Sequence, residues 1–590
     1  MASATIQRMD RSVGKFRWSM LPELKDQLLD ENGLRLEEWL ATGQARVVKQ
    51  GPHRVVYRVE LPGLSFYVKH NFVHDERAWF RQLVRQSKAR MEYERMLAAA
   101  ERGVPTISPL ALAEEETQVG SGESILITRS LEDCIPLHYF LAGVLPKFPE
   151  PRASRLRQKL ATKLGQLVAR IHDAGILHHD LHAANLLVRL SDDDRIELFV
   201  IDLLAVKLGP PLDWQSSREN LVMINCWFTL RVNRADRLRF WKAYFLARKL
   251  GVWQRDRYGT RHYAKDLHEI EELSWQRNLR FWQRRDKRCL VNNRYYRKVR
   301  GDSVAGHAVS EIAQADLAPL LRDPDEPLNS PGVKVLKESA SSTVIEMQFR
   351  VNGELRPVIY KRFCVASWKD PIASWFRDAP ALRSWIHGQG FRERGLPTAR
   401  PFVVLHRRKY GMWFEGYLLT EKIDHAFDLL QFAKSLMRAP DSRELLREMI
   451  GRVARTIRSL HQRQLSHRDL KAANILVRRW DAPVGESSAY SQDIQNLLYM
   501  PESAIWLIDL VGVDQFAELT FDRKVQNLAR LNVSFADNSL ISRSDRLRFL
   551  LTYLSCGAFG TCDWKAWWKR IGEATGKKIC RNLRRGKPLS

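Results

Sequence analysis

Apolar and polar residues alternate along HRVVYRVEL (53–61) and STVIEMQFRV (342–351). A period of two sends successive side chains to opposite faces, so both segments are expected to be half-buried strands of a hairpin. VVYRVELPGLSFYVK (55–69) and LRPVIYK (355–361) continue each sheet and end on Lys69 and Lys361. The period then changes. DERAWFRQLVRQSKARMEYERMLAAAERG (75–103) and ASWFRDAPALRSWIHGQGFRERG (373–395) read as helices that stop at a glycine. QKLATKLGQLVARIHDAG (158–175) and LLREMIGRVARTIRSLHQRQ (445–464) carry apolar residues at helical spacing. A small strand-rich lobe followed by a helical lobe is predicted twice, an α+β arrangement.

The halves repeat in sequence as well. HHDLHAANLLV (178–188) recurs as HRDLKAANILV (467–477), RGVPT (102–106) as RGLPT (394–398), FVIDLLAV (199–206) as WLIDLVGV (506–513), and ADRLRF (235–240) as SDRLRF (544–549). Lys69 and Lys361 are 292 residues apart, Asp180 and Asp469 are 289 apart, and Asp202 and Asp509 are 307 apart. The larger offset comes from an insertion, RRWDAPVGESSAYSQD (478–493), which reads as a surface loop. So long a period means duplicated domains rather than a solenoid. The boundary is placed in the Asp-, Pro-, Ala- and Ser-containing stretch DSVAGHAVSEIAQADLAPLLRDPDEPLNSPG (302–332). The expected organisation is an N-terminal domain over 15–300, a linker over 301–332 and a C-terminal domain over 333–590.

The repeated residues have a common chemistry. Phosphoryl transfer asks a protein for positioning and for cancellation of charge. A lysine on a strand, then His-x-Asp-x-x-x-x-Asn, then an Asp after an apolar strand supply those parts in order. Lys69 would hold the phosphates of ATP, Asp180 would act as base, and Asn185 and Asp202 would hold Mg2+. Lys361, Asp469, Asn474 and Asp509 take the same places in the second half. Any one of these residues has an ordinary structural reading, a strand-edge charge or a helix cap, but the ordered set occurs twice in register.

These motifs resemble the protein-kinase-like superfamily, and within it the lipopolysaccharide core kinases that phosphorylate Kdo or heptose. The resemblance implies two tandem bilobal kinase-like domains and an ATP- and Mg2+-dependent transfer to a sugar hydroxyl of a glycolipid. It also assigns RRDKRCLVNNRYYRKV (284–299) to a basic C-terminal extension of the first domain. Several departures matter. The glycine-rich phosphate loop is missing: KQGPHRVVYRV holds only Gly51, and KESASSTVIEM holds none. Neither half has Ala-Pro-Glu after its metal Asp, and the short segment there favours a sugar over a protein acceptor. Glu92 lies 23 residues after Lys69 as its candidate ion-pair partner, with Glu94 nearby, whereas the position 23 after Lys361 is Ser384. Glu393 lies too near RGLPT to substitute. Lys471, two residues after Asp469, is placed to reach the γ-phosphate, while the first loop carries His179 and His182, read as hydrogen-bonding loop residues. A Ser/Thr protein kinase, suggested by HRDLKAAN, and a kinase paired with a regulatory pseudokinase are the competing readings.

The 590 residues carry a formal net charge of +27, which implies an acidic partner. The basic tail from Trp564, with Trp567 and Trp568, suits either an anionic membrane surface or a helix packed on its own lobe. No nucleic-acid recognition motif is present. Seven cysteines, an odd count without a Cys-x-x-Cys pair, argue against a disulfide framework or zinc site. The N-terminus lacks the apolar core of a secretory signal, and the expected location is cytoplasmic, peripheral to an inner membrane.

Overall fold

The computed structural model describes residues 8–51, 53–72, 86–117, 122–248, 260–364, 378–409, 412–436, 442–478, 504–536, 541–554 and 563–586. It divides into two compact units between Gln276 and Arg277. The insertion expected after Val477 lies outside the described residues, as do the first parts of the helices expected from 75 and 373.

The first unit opens on a hairpin, β1 (Met9–Val13) and β2 (Phe16–Met20). Then come β3 (Ala45–Gly51), β4 (Arg54–Leu61) and β5 (Leu64–Asn71), helix α1 (Lys88–Glu101), and β6 (Pro109–Glu115) and β7 (Ser124–Arg129). They form one antiparallel sheet in the order β1-β2-β6-β7-β5-β4-β3. Alternation decides the faces: Val59, Phe66 and Val68 close a core with Trp18 and Trp39, which leaves Lys69 on the opposite face. Ser87 caps α1 by accepting the Arg90 N–H. The helix stops at Gly103, whose φ of +77° is the left-handed position that favours glycine.

The helical lobe follows with α2 (Arg152–Asp173), whose Leu156, Leu160, Leu164, Leu167, Val168 and Ile171 line one buried face. The pairs β8 (Ile176–His178) with β11 (Val206–Leu208), and β9 (Leu186–Leu190) with β10 (Ile196–Val200), carry the catalytic-type loops. Helices α3 (Trp214–Phe228) and α4 (Arg234–Ala247) follow, and α5 (Thr260–Asp286) runs across the division at Gln276.

The second unit begins earlier than the composition suggested. β12 (Tyr296–Arg300) and β13 (Val304–Val309) pair with each other, and β13 pairs with β17 (Pro401–Lys409). RRDKRCLVNNRYYRKV therefore runs into the first strand of the second sheet, the counterpart of β1, rather than ending the first domain. The stretch expected as a linker holds β13 and α6 (Gln314–Arg322), with Val304, Ala308, Val309, Leu317, Leu320 and Leu321 buried in the core. Its small residues are packing residues: a Cβ on Gly306 would come within 1.8 Å of the Val404 carbonyl oxygen. After α6 come β14 (Lys334–Ser339), β15 (Ser342–Val351), β16 (Glu354–Cys364), α7 (Pro380–Glu393) and, beyond β17, β18 (Met412–Glu421). The sheet order β12-β13-β17-β18-β16-β15-β14 repeats the first.

The second helical lobe comprises α8 (Ser442–Gln462), β19 (Leu465–His467), β20 (Ile475–Arg478), β21 (Ile505–Leu507), β22 (Val513–Gln515), α9 (Phe521–Val533), α10 (Arg543–Leu554) and α11 (Trp564–Arg584). Two of the three tryptophans of α11 face inward, while Trp564 at its start is exposed. Trp567, Trp568 and Ile571 pack against the lobe core, with Trp567 set edge-on to Phe521 and Tyr553. Of the two readings of the tail, its Trp residues follow the packed one.

A buried histidine near the end of each long helix ties it to a later one. His172 Nδ1 lies 2.9 Å from the Tyr244 hydroxyl, and His461 Nδ1 lies 2.8 Å from that of Tyr553. Burial, helped by the Arg248 charge, pushes the pKa of His172 down to about 3, and burial pushes that of His461 down to about 4. An unfolded histidine titrates near 6.5. Below that value the unfolded chain takes up protons that the folded chain refuses, so stability is full above pH 6.5 and falls as the pH drops toward 4. Each histidine contributes a slope of about 1.4 kcal/mol per pH unit in that window. The urea midpoint should therefore fall between pH 7 and pH 5, and His461→Gln should flatten the fall in the second domain. A midpoint independent of pH over this range would contradict the assignment.

Candidate active site

In the first domain Asp180 follows β8, and a single turn, Ala183–Asn185, leads from it into β9. His178 is buried and fixes the loop from beneath. Its Nδ1 accepts the Asp180 N–H at 3.2 Å, and its Nε2 lies 3.4 Å from the Ile201 carbonyl oxygen. Burial holds the His178 pKa down, so the ring is neutral and can accept at one nitrogen while donating at the other. Asn185 donates from Nδ2 to the Asp180 carbonyl at 2.9 Å, and its own carbonyl accepts the Ile201 N–H. This bond couples the Asp180 loop to the residue before Asp202. Asp202 sits at φ +59°, a left-handed conformation that a non-glycine residue holds only when its surroundings impose it. RGVPT helps to impose it: Thr106 donates to the Val200 carbonyl at 2.8 Å, and Val200 N–H donates to Pro105.

Lys69 on β5 meets Glu92 on α1, Nζ to Oε1 2.5 Å, with Glu92 only 2 % exposed. Glu94, the alternative partner, pairs with Arg90 instead. His182 accepts the Ala184 N–H at Nδ1 and lies 3.4 Å from Asp180 Oδ2 through Nε2. His182 holds the Asp180 carboxyl below the usual carboxylate range against the opposing effect of burial. His179 donates its backbone N–H to Ala205.

The second domain reproduces the loop. His467 accepts the Asp469 N–H, Asn474 Nδ2 donates to the Asp469 carbonyl at 2.8 Å and to Oδ2 at 3.1 Å, and Asp509 has φ +58°. Thr398 donates to the Leu507 carbonyl as Thr106 does to Val200. Lys471 stands 3.3 Å from Asp469 Oδ2, in the relation that His182 has to Asp180. The difference lies at the lysine. Ser384 is buried on α7 where α1 has Glu92, and Lys361 Nζ bonds Asp509 Oδ1 at 2.9 Å. Burial would raise the Asp509 pKa, but the Lys361 ammonium outweighs it and holds the carboxyl down. Glu393 does not stand in for the missing carboxylate, because it pairs with Arg285.

Asn185 with Asp202, and Asn474 with Asp509, offer amide and carboxylate oxygens, hard donors of the kind Mg2+ takes. In the first site Lys69 is engaged by Glu92, which leaves the Asp202 carboxylate for a metal. In the second, Lys361 already shares Asp509. Among the described residues no cluster of three or more His, Cys, Asp or Glu is placed to hold a metal ion.

Two residues escaped the sequence reading. Asn220 on α3 donates to the His178 carbonyl at 2.7 Å, and Asn527 on α9 accepts the His467 N–H at 2.9 Å. They are 307 residues apart, the offset of Asp202 and Asp509, so extending the repeat by one helix would have found them.

The sequence description of the Lipopolysaccharide kinase (Kdo/WaaP) family matches residues 38–244 and 337–553. A 3-deoxy-D-manno-octulosonic acid kinase of Haemophilus influenzae is 32 % identical over 165 residues, 27 % of this chain and 56 % of that kinase. The lipopolysaccharide core heptose(I) kinase WaaP of Pseudomonas aeruginosa is 24 % identical over 214 residues, 34 % of this chain and 77 % of that kinase. A solved structure of WaaP in complex with acyl carrier protein is 22 % identical, with a TM-score of 0.30 over 40 % of this chain and 92 % of that one. The chain thus spans about half the length of the octulosonic acid kinases it matches. With both halves matched, the chain belongs to the lipopolysaccharide kinase (Kdo/WaaP) family.

Proposed function

We propose that the first domain is an ATP- and Mg2+-dependent phosphotransferase acting on a sugar hydroxyl, of the Kdo or heptose type, in lipopolysaccharide or a related glycolipid. The observations that support this are the Lys69–Glu92 pair and the Asp180–Asn185 loop, which is bonded to Ile201 beside Asp202. Lys69, oriented by Glu92, binds the α- and β-phosphates. Asn185 and Asp202 would hold Mg2+, which would supply positive charge to offset that of the phosphates. Asp180 accepts the proton of the attacking hydroxyl, and its half-exposed side chain leaves room for the acceptor.

The acceptor class is supported by the segment after Asp202. Residues 203–213 return at once to the loop, where β11 pairs with β8 before α3 begins. Residues 510–520 do the same through β22 and β19. Such a segment offers no extended platform for a peptide. The names of the relatives point the same way. A labelled-phosphate assay on the full chain, offering Kdo- and heptose-bearing glycolipid, casein-like protein or no acceptor, should put label on the glycolipid. Label on the protein alone would favour the Ser/Thr kinase reading.

For the second domain a regulatory pseudokinase role has its own support: Ser384 in place of a carboxylate, and Lys361 on Asp509. Asp469 and Lys471 would serve as base and phosphate contact if it turns over.

The net charge supports a peripheral place on an anionic membrane surface. No helix among the described residues is long and apolar enough to cross a membrane. Because Trp567 and Trp568 are used in packing, truncation before Trp564 would unseat a helix, and the exposed charges of α11 are the better test. Lys565→Glu, Lys569→Glu, Lys577→Glu and Arg581→Glu together should weaken co-sedimentation with anionic vesicles at low salt. Each removed cation is worth on the order of 1 kcal/mol near such a surface, and salt should erase the difference. Equal binding to neutral vesicles would overturn the electrostatic account.

A further inference from the structure

Neither domain has a glycine-rich loop to wrap phosphates, yet both have the same substitute in the same register. In the first sheet Lys49 on β3 pairs with Val56 on β4, which pairs with Lys69 on β5. In the second, Lys337 on β14 pairs with Val344 on β15, which pairs with Lys361 on β16. Directly paired residues of antiparallel neighbours project to one face, so each lysine shares the face of its phosphate-binding lysine, about 10 Å away across two strand spacings. The register shifts just before it in both sheets, between Val47 and Lys49 and between Val335 and Lys337. Such bulges re-aim side chains, and they collect beside active sites. The sequence around the shift, RVVKQ (46–50) and KVLKE (334–338), keeps the pattern in both copies.

Both lysines are exposed, and neither forms an ion pair with a described residue. Their neighbours differ in this: Arg46 pairs with Glu60, and Lys334 with Glu346. We propose that Lys49 and Lys337 bind the nucleotide phosphates from the strand side, supplying as side-chain charge what a glycine-rich loop supplies as backbone N–H groups. The inference rests on the kinase reading above and adds a phosphate contact to it.

A simpler role for a lysine on an edge strand is to discourage pairing with another chain. Calorimetry on the full chain separates the two, with Mg-ATP and with adenosine as ligands. Lys49→Ala with Lys337→Ala should weaken ATP binding by roughly tenfold or more, the worth of one charged hydrogen bond, and leave adenosine binding unchanged. Lys49→Arg with Lys337→Arg should restore most of the ATP affinity. Unchanged ATP affinity, or equal loss of ATP and adenosine, would overturn the assignment. Absence of ATP binding by the unaltered chain would instead sink the kinase reading.

Discussion

Asp180→Asn should lower phosphate transfer by about 10²–10⁴-fold, the usual worth of a positioned general base. ATP affinity should be unchanged, because the base acts on the acceptor. Asp469→Asn in the otherwise native chain should leave most of the turnover, since the second site holds its lysine on Asp509 rather than on a helix carboxylate. Rates with saturating glycolipid, set beside calorimetric ATP binding, check both. Transfer that survives Asp180→Asn and disappears with Asp469→Asn would reverse the roles of the domains. The pH profile adds a sign. His182 holds the Asp180 carboxyl below its ordinary value near 4, so the base stays ionised and the rate stays flat down to below that pH. His182→Ala lets the carboxyl rise toward its ordinary value, and the acid limb should move to higher pH.

Exchanging the lysine partners should have the next largest effect. Glu92→Ser removes the buried carboxylate that directs Lys69. The second domain is the nearest precedent for the result, because there the lysine bonds Asp509, the counterpart of Asp202. Turnover should fall by about 10²-fold, as misplacement of a binding group by an ångström can cause. The loss should shrink as Mg2+ is raised, because metal and Lys69 then compete for Asp202. The converse, Ser384→Glu, gives Lys361 a carboxylate to meet and releases Asp509. ATP binding by the second domain should become more dependent on Mg2+, which a magnesium titration with Asp202→Ala silencing the first site would read. A Glu at position 384 that fails to reach Lys361 would be a buried unpaired charge and would lower the melting temperature. An unchanged rate in Glu92→Ser would remove the ion pair from the mechanism.

Much of this site was legible because its parts are short and ordered. Asp180 and Asn185 share one turn, Asp469 and Asn474 another, and local spacing alone brings each pair together. Glu92 was found by counting from Lys69, and the count held because a strand and a capped helix of fixed rise lie between them. The domain boundary failed for a related reason. Composition between 302 and 332 resembles a linker, and the burial of Val304 and Ala308 depends on β17, about a hundred residues further on. The tail was ambiguous in the same way, since an amphipathic basic helix looks alike whether its apolar stripe meets lipid or Phe521 and Tyr553.

The sequence by itself determined the duplication, the strand and helix order, and the identity of the two sets of polar residues, because periodicity and motif spacing are local properties of a chain. Only the tertiary structure decided which carboxylate Lys361 meets. Lys361 and Asp509 are 148 residues apart, and their contact follows from a carboxylate missing on α7 and from the position of a left-handed Asp at the end of β21. The same holds for Lys49 and Lys337. A lysine in an exposed strand says nothing in sequence; two strand pairings and one bulge put it on the face of Lys69 or Lys361. An electrostatic partner is chosen by distance in space and by what else is absent there, and neither quantity is written in the spacing along the chain.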